Sequence, residues 1–231
     1  MNGAATLLIG EITVDFTMPA TSIACKLRLG GIIHAARGLW AAELKYSVAA
    51  ICPKYLVDQA RDYLSQHGCA EFIWFGEVLA CPNVVAIADP TEVASQGYEY
   101  LLRDEKKVQI FEVSERLQMY EEVLVFPGQF NLPELHKQVP KSARVHFDIA
   151  YDIQDLSELN IFRGKIGALI LSTSSEWFLA ERSSPIEALL AKARILSPEV
   201  LLLKENRGGS RLFELKENVI HEIPAVLGET I

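Results

Sequence analysis

Residues 7–44 decide the fold, and they read LLIGEITVDFTMPATSIACKLRLGGIIHAARGLWAAEL. The first six, LLIGEI, are apolar apart from one glycine and one glutamate, which predicts a buried strand, and Asp15 follows just beyond it. The pair Gly30-Gly31 then opens IIHAARGLWAAEL, a segment rich in helix-forming residues. A strand that leads to a polar residue, followed by a helix that starts at two glycines, is typical of a site for a small polar ligand in an α/β protein.

Beyond this stretch, strand-like and helix-like patterns alternate along the chain. Most strand-like runs are short and apolar on both faces, as expected where helices cover both sides of a sheet. The runs are TLLIGEI, YSVAAIC, EFIWF, NVVAIA, EVLVFP, ARVHFDI, GALILS and EVLLLK. Helical segments are predicted at residues 32–44, 55–68, 114–120, 154–162, 174–181 and 185–196. The order predicts an α/β fold with a doubly wound, mainly parallel sheet flanked by helices.

One region departs from this alternation. Residues 84–113 contain VVAIA, GYEYLL and KVQIFE, three strand-like runs joined by turn-like spacers without a helix. Together with residues 13–29 they predict a small β lid over the site, although an ordinary meander at the sheet edge fits the pattern equally well. We therefore expect residues 1–231 to form a single α/β domain that carries a lid from about 13–29 and 84–113.

Composition and charge restrict the partners and the location. The chain has 231 residues, of which 50% are hydrophobic, and a formal net charge of -8. An acidic chain is a poor default partner for nucleic acid or an anionic membrane, because both favour basic surfaces. The sequence contains no apolar run of membrane-spanning length and no signal-peptide pattern at its start, so a cytoplasmic location is predicted. The four cysteines lack metal-binding spacing, and buried reduced thiols are the simplest interpretation.

Several motifs resemble those of the ribokinase (PfkB-type) carbohydrate and nucleoside kinases. LLIGEITVDF followed by RLGGIIHAARGLWAAEL resembles the opening of that family. In the same order as in the family, ARVHFDIAYD resembles a strand ending in D-x-N, LILSTSSEWF a segment ending in N-x-x-E, and LLLKENRGGSRLFE the T-L-G-x-x-G stretch. The resemblance implies a ribokinase-like fold and ATP-dependent phosphoryl transfer, with Mg²⁺, to a hydroxyl of a sugar, sugar acid or nucleoside. It also implies a small hydroxylated substrate and a possible homodimer formed through the lid.

The resemblance assigns roles to residues at the matching positions. It implies substrate contacts for Asp15, Gly30, Gly31 and His34. Each has a plain structural alternative: Asp15 could cap a loop, the glycines could make only a tight turn, and His34 could fill a polar gap.

On the nucleotide side the resemblance implies cofactor contacts for Asp148, Lys204 and Gly209, and a role for Glu176 in orienting the metal. Glu176 also fits a capping box that starts at Thr173, and Lys204 could be an ordinary solvated residue.

The departures from the family pattern concern catalysis. His34 stands where the family often has Asn, Ala150 replaces the Asn of D-x-N, and residues 204–206 read Lys-Glu-Asn instead of Thr-Leu-Gly. The family's G-A-G-D motif, which supplies the anion-hole amides and the catalytic base, does not occur before the sequence ends at PAVLGETI. No catalytic residue is therefore assigned. Two expectations remain open: a kinase whose catalytic C-terminal part lies outside this sequence, and a non-catalytic binding or regulatory protein with the kinase fold.

Overall fold

A ten-stranded sheet forms the centre of the protein, and a three-stranded sheet lies beside it. The structure is a computed structural model that describes residues 6–17, 24, 26–87, 106–126, 132–149, 153, 155–173, 178, 186–205 and 208–225. The strands within these ranges are β1 (Thr6–Glu11), β2 (Val14–Thr17), β3 (Lys26–Leu29), β4 (Tyr46–Cys52), β5 (Cys69–Leu79), β6 (Val84–Ile87), β7 (Lys107–Ile110), β8 (Glu122–Val125), β9 (Arg144–Ile149), β10 (Ile166–Ser172), β11 (Val200–Lys204), β12 (Ser210–Glu214) and β13 (Val219–Ile223). The α-helices are α1 (Ile32–Ala41), α2 (Val57–Gln66), α3 (Ser114–Leu117), α4 (Leu132–Gln138) and α5 (Ile186–Ile195), with 3-10 helices at Lys54–Leu56 and Leu156–Phe162.

The large sheet has the strand order β13-β12-β11-β10-β9-β8-β1-β4-β5-β7. The run from β11 to β5 is parallel throughout, whereas β7 and β12 pair antiparallel to their neighbours at either end. In this parallel run β1, β4 and β10 are apolar on most positions of both faces, because helices pack on both faces of the sheet, whereas β9 places Arg144, His146 and Asp148 on one of its faces.

Two hydrophobic clusters on opposite faces of the sheet form the core. Along β1, Leu7 and Ile9 join one cluster and Leu8 joins the other, as the alternation of a strand requires. Helices α1 and α2 pack in the cluster of Leu8. Helices α3, α4 and α5 and the second 3-10 helix pack in the cluster of Leu7 and Ile9. This two-sided arrangement confirms the predicted fold class.

The predicted lid is partly a separate sheet. In the small sheet β2 lies between β3, to which it is antiparallel, and β6, to which it is parallel. The run KVQIFE, predicted in the lid, was misplaced: β7 pairs with β5 at the edge of the large sheet. The reason is that Val108 and Ile110 pack against the main core, and Gly76 lets β7 approach closely. The predicted strand GYEYLL lies outside the described residues.

The other predicted strands are confirmed, and three further elements differ from expectation. Residues 154–162 were predicted as a helix and form the 3-10 helix Leu156–Phe162 behind a capping box at Asp155. Helix α4 and the hairpin β12–β13 were not predicted. The predicted helix 174–181 falls almost entirely outside the described residues. No helix in the described part of the chain is both long and apolar enough to cross a lipid bilayer.

Candidate functional site

The candidate site lies at the carboxyl end of β1. At this point in the sheet, the helices that connect the strands switch from one face to the other. From β1 the chain reaches β4 through α1, which packs on one face, while from β8 it reaches β9 through α4 on the other face. Because β1 and β8 are neighbours, their carboxyl ends flank a topological switch point. Ligands of open α/β sheets bind in the crevice at such a point.

Asp15 is the central polar residue of this corner. It lies on β2, directly after the chain leaves β1, and only 4% of its surface is exposed. The Thr13 hydroxyl donates to Asp15 Oδ1 at 2.9 Å, and His34 Nε2 lies 2.8 Å from Asp15 Oδ2. Each carboxylate oxygen therefore has one partner among the described residues, and the two together fix the plane of the carboxylate.

The two glycines shape the corner through their lack of a side chain. A Cβ placed on Gly30 would lie 1.9 Å from Asp15 Oδ1, so only glycine leaves room for the carboxylate in this position. Gly31 has φ +61°, and a Cβ there would lie 2.3 Å from the Glu11 carbonyl oxygen. Gly30 N–H also donates to the Thr13 carbonyl at 2.9 Å. The structure thus brings together the four residues that the resemblance assigned to substrate binding.

This corner can accept hydrogen bonds from a small hydroxylated molecule. A carboxylate offers about four lone-pair sites, and Thr13 and His34 occupy one on each oxygen of Asp15. His34, on the first turn of α1, has a side chain that is 48% exposed, so the polar group borders solvent at its imidazole ring, while the Asp15 carboxylate lies behind it. The His34 ring and the remaining lone pairs of Asp15 are the polar atoms that this corner offers to a ligand hydroxyl.

A buried ion pair adjoins the same strand end, and it was not predicted from the sequence. Lys106 Nζ lies 2.9 and 3.1 Å from the two carboxylate oxygens of Glu11. The Lys106 side chain is 0% exposed and that of Glu11 is 9% exposed. The pair ties the last residue of β1 to the chain that enters β7. A glutamate at the end of an apolar strand was the one available signal, but its partner lies 95 residues away.

Asn83 makes two hydrogen bonds to the turn between β1 and β2, and this contact was not predicted from the sequence either. Its Nδ2 donates to the Ile12 carbonyl at 2.9 Å, and its own carbonyl accepts from Val14 N–H at 3.0 Å. Its Oδ1 is buried and has no hydrogen-bond partner among the described residues. Asn83 thereby couples the start of β6 to the main-chain turn that presents Asp15.

The residues assigned to the nucleotide side form a second group, also at the carboxyl ends of the parallel strands. Lys204 Nζ lies 2.8 and 2.9 Å from the two oxygens of Asp148, across the intervening strand β10. Strands β9 and β11 lie two and four strands from β1, or about 10 and 19 Å. The structure therefore pairs Asp148 with Lys204 and keeps both apart from Asp15.

Gly209, the third residue of that group, occupies a position where the backbone itself requires glycine. It has φ +91°, and a Cβ there would lie 2.1 Å from the Ile223 carbonyl oxygen, where the hairpin β12–β13 closes on the loop. Glu205 N–H donates to the Gly209 carbonyl at 2.8 Å, and the Glu205 carboxylate pairs with Arg211. The loop is thus held by its own contacts.

ATP and magnesium fit this second group only in part. Lys204 is 41% exposed and can approach a phosphate, but both oxygens of Asp148 already engage its ammonium group. Within the described ranges no cluster of three metal-ligating side chains occurs. Glu176, assigned to the metal, lies outside the described residues.

Comparison with known proteins identifies the fold. No protein-family model matches this chain, and no curated protein matches it either. Among solved structures, a fructokinase from Xylella fastidiosa with bound ATP is similar over 97% of this chain and 75% of its own, at 12% identity and a TM-score of 0.69. The chain has the ribokinase-like fold. Ribokinases from Giardia lamblia (14% identity, TM-score 0.63, 99% of this chain and 77% of theirs) and Thermotoga maritima (12%, 0.57, 99% and 80%) are similar as well.

Proposed function

We propose that this protein binds a small hydroxylated molecule, a sugar, sugar acid or nucleoside, at the corner formed by Asp15, Gly30, Gly31 and His34. The observation that carries the proposal is the Asp15 carboxylate, buried, seated against Gly30 and oriented by Thr13 and His34 at the switch point of the sheet. Burying a carboxylate is costly unless it is hydrogen-bonded, and a polyol ligand supplies further donors.

We further propose that the bound molecule is phosphorylated by ATP as in PfkB-type carbohydrate kinases. The ribokinase-like fold supports this, as does the ATP-bound fructokinase among its neighbours. Lys204, at the end of β11, is the residue best placed to contact a nucleotide phosphate, and Asp148 would orient its ammonium group. ATP would supply the transferred phosphoryl group, with magnesium neutralising its charge.

A thermal-shift screen over sugars, sugar acids and nucleosides, followed by ³¹P NMR of the best ligand with MgATP, tests both steps. The kinase proposal predicts a stabilising ligand and the appearance of its phosphate ester together with ADP. A screen without any stabilising ligand contradicts the binding proposal.

One observation favours a second candidate, a sugar-binding protein that uses this fold without transferring phosphate. Asp148 and Lys204 neutralise each other, so Lys204 offers less free positive charge to a transferring phosphate than an unpaired lysine would. In the same NMR experiment this candidate predicts ligand binding with no ester formed. Ester formation at a rate that tracks ligand occupancy rules it out.

A further inference from the structure

A cavity lies on the side of the large sheet where the parallel strands begin, whereas the candidate site lies where they end. Its volume is about 380 Å³, within the range of small-ligand pockets. Three turns that enter β9, β10 and β11 line it, together with the turn of the β12–β13 hairpin. Because these turns precede the parallel strands, the cavity is at the amino ends of the strands, whereas Asp15 follows the carboxyl end of β1. It is therefore a separate place in the fold.

The lining of this cavity is basic in a chain whose net charge is -8. Lys141, Lys165 and Lys216 reach it from three different turns, and among the described residues none of the three makes an ion pair. The concentration of unpaired positive charge in one concavity attracts anions and raises their local concentration.

A fourth basic residue, Arg144, lines the cavity and is held in place by two ion pairs. Arg144 Nη1 binds Glu199 at 3.0 Å, and Arg144 Nη2 binds Glu122 at 2.7 Å, so its guanidinium is held in place and largely neutralised. Ser197, whose side chain carries a hydroxyl group, also lines the cavity. The three lysines thus supply the net positive charge of the cavity. Arg144 and Glu199, which are paired, form a part of its lining whose position is fixed.

We propose that this cavity is a binding site for a compact anion that carries two linked phosphate groups. Two phosphate groups carry roughly three to four negative charges at neutral pH, which matches three ammonium groups. No aromatic side chain is among the lining residues, so nothing there would stack on a nucleotide base. The chemistry of the lining favours pyrophosphate or a sugar bisphosphate over a nucleotide, at a site that the proposed function does not use.

Isothermal titration calorimetry with inorganic pyrophosphate tests this proposal. We expect saturable binding of one pyrophosphate per chain, weaker binding of inorganic monophosphate, and a decline in affinity as salt increases. Lys165→Glu and Lys216→Glu should each weaken pyrophosphate binding at least about tenfold, because each removes a charge-assisted contact and adds repulsion. Lys107→Glu, an equal change of charge on the exposed face of β7, should leave the affinity within about twofold.

Three results would overturn the proposal. Equal losses in Lys165→Glu and Lys107→Glu would assign the binding to the net charge of the protein. Loss of binding in Lys204→Ala, with Lys165→Glu unaffected, would place the anion at the proposed nucleotide position. Absence of binding in the unaltered chain, with Lys165→Glu lowering only the melting temperature, would assign the lysines to the carboxyl ends of the nearby helices, where cations are stabilising.

Discussion

Gly30 is the residue on which the position of the Asp15 carboxylate depends. A methyl group at position 30 would overlap that carboxylate, since a Cβ with ideal geometry would lie 1.9 Å from Oδ1 and 2.2 Å from Oδ2. Gly30→Ala should therefore push Asp15 away from Thr13 and His34 and destabilise the fold by about 1–3 kcal/mol. Urea unfolding measures the loss of stability.

Gly38 provides the matched control for that substitution. It lies within α1, and a Cβ there would meet no atom within 4 Å apart from its chain neighbours and the backbone of its own helix. Gly38→Ala should stabilise the protein by about 0.5–1 kcal/mol, because alanine has the higher helix propensity. If Gly30→Ala were as well tolerated as Gly38→Ala, the close contact between Gly30 and Asp15 would not exist in solution.

Cys52 is expected to be chemically inert in the folded protein. Burial raises the pKa of its thiol to about 12, and its exposure is 0%. At pH 8 only about one molecule in ten thousand would carry the reactive thiolate. Mass spectrometry after iodoacetamide treatment should find Cys52 unmodified in the native protein and fully modified in urea. Similar labelling rates in both states would show that the end of β4 is not packed as described.

At the scale of elements, periodicity predicted the buried strands because their pattern is local. Four of the seven residues of TLLIGEI and four of the six of GALILS are apolar, and the strands β1 and β10 follow these runs closely. KVQIFE alternates as any half-exposed strand does, and nothing in it specifies the partner, which is β5. The hairpin β12–β13 was not predicted although VIHEI, the sequence of β13, contains three β-branched apolar residues, all of which are exposed in the structure.

The Glu11–Lys106 ion pair connects two elements, and its loss should be costly. Lys106→Met removes the ammonium group that lies 2.9 Å from the Glu11 carboxylate, whose side chain is 9% exposed. Breaking a buried pair from one side typically costs about 3–5 kcal/mol. The change in free energy of unfolding measures this, and Lys107→Met on the exposed side of β7 should change it by less than about 0.5 kcal/mol. Equal effects of the two substitutions would mean that the pair adds nothing.

At the scale of the whole molecule, the free energy of unfolding should fall in acid, because ion pairs join the amino-terminal ends of β8, β9 and β11. Hydrogen bonds from Arg144, and then from His146, hold the pKa of Glu122 below its ordinary value of 4.5. A lowered pKa contributes stability above the unfolded value, and that contribution is lost as pH falls through the folded pKa.

Glu122→Gln should therefore be less stable than the unaltered protein at pH 7, by about 1 kcal/mol or less because the group is partly exposed. The difference should shrink below pH 4.5, which urea unfolding across pH 3–7 would reveal. A difference for Glu122→Gln that stays constant with pH would contradict the cause given for its shift.

The candidate site was predictable where its parts lie close in sequence. Asp15, the glycine pair and His34 fall within twenty residues, and the resemblance to the ribokinase family assigned them to one site. Glu11 with Lys106 and Ile12 with Asn83 meet across 95 and 71 residues, and single-sequence patterns carry no information about such contacts. The pairing of Lys204 with Asp148 depends on strand order in the same way.

The central claim is that Asp15 binds a small hydroxylated ligand. Calorimetry with the best ligand from the screen tests it, with Asp15→Ala compared with Gly38→Ala as the folded control. We expect Asp15→Ala to weaken binding by at least about tenfold, since a charged hydrogen-bond partner is lost, while Gly38→Ala binds normally. An affinity for Asp15→Ala equal to that of the unaltered protein would contradict the claim.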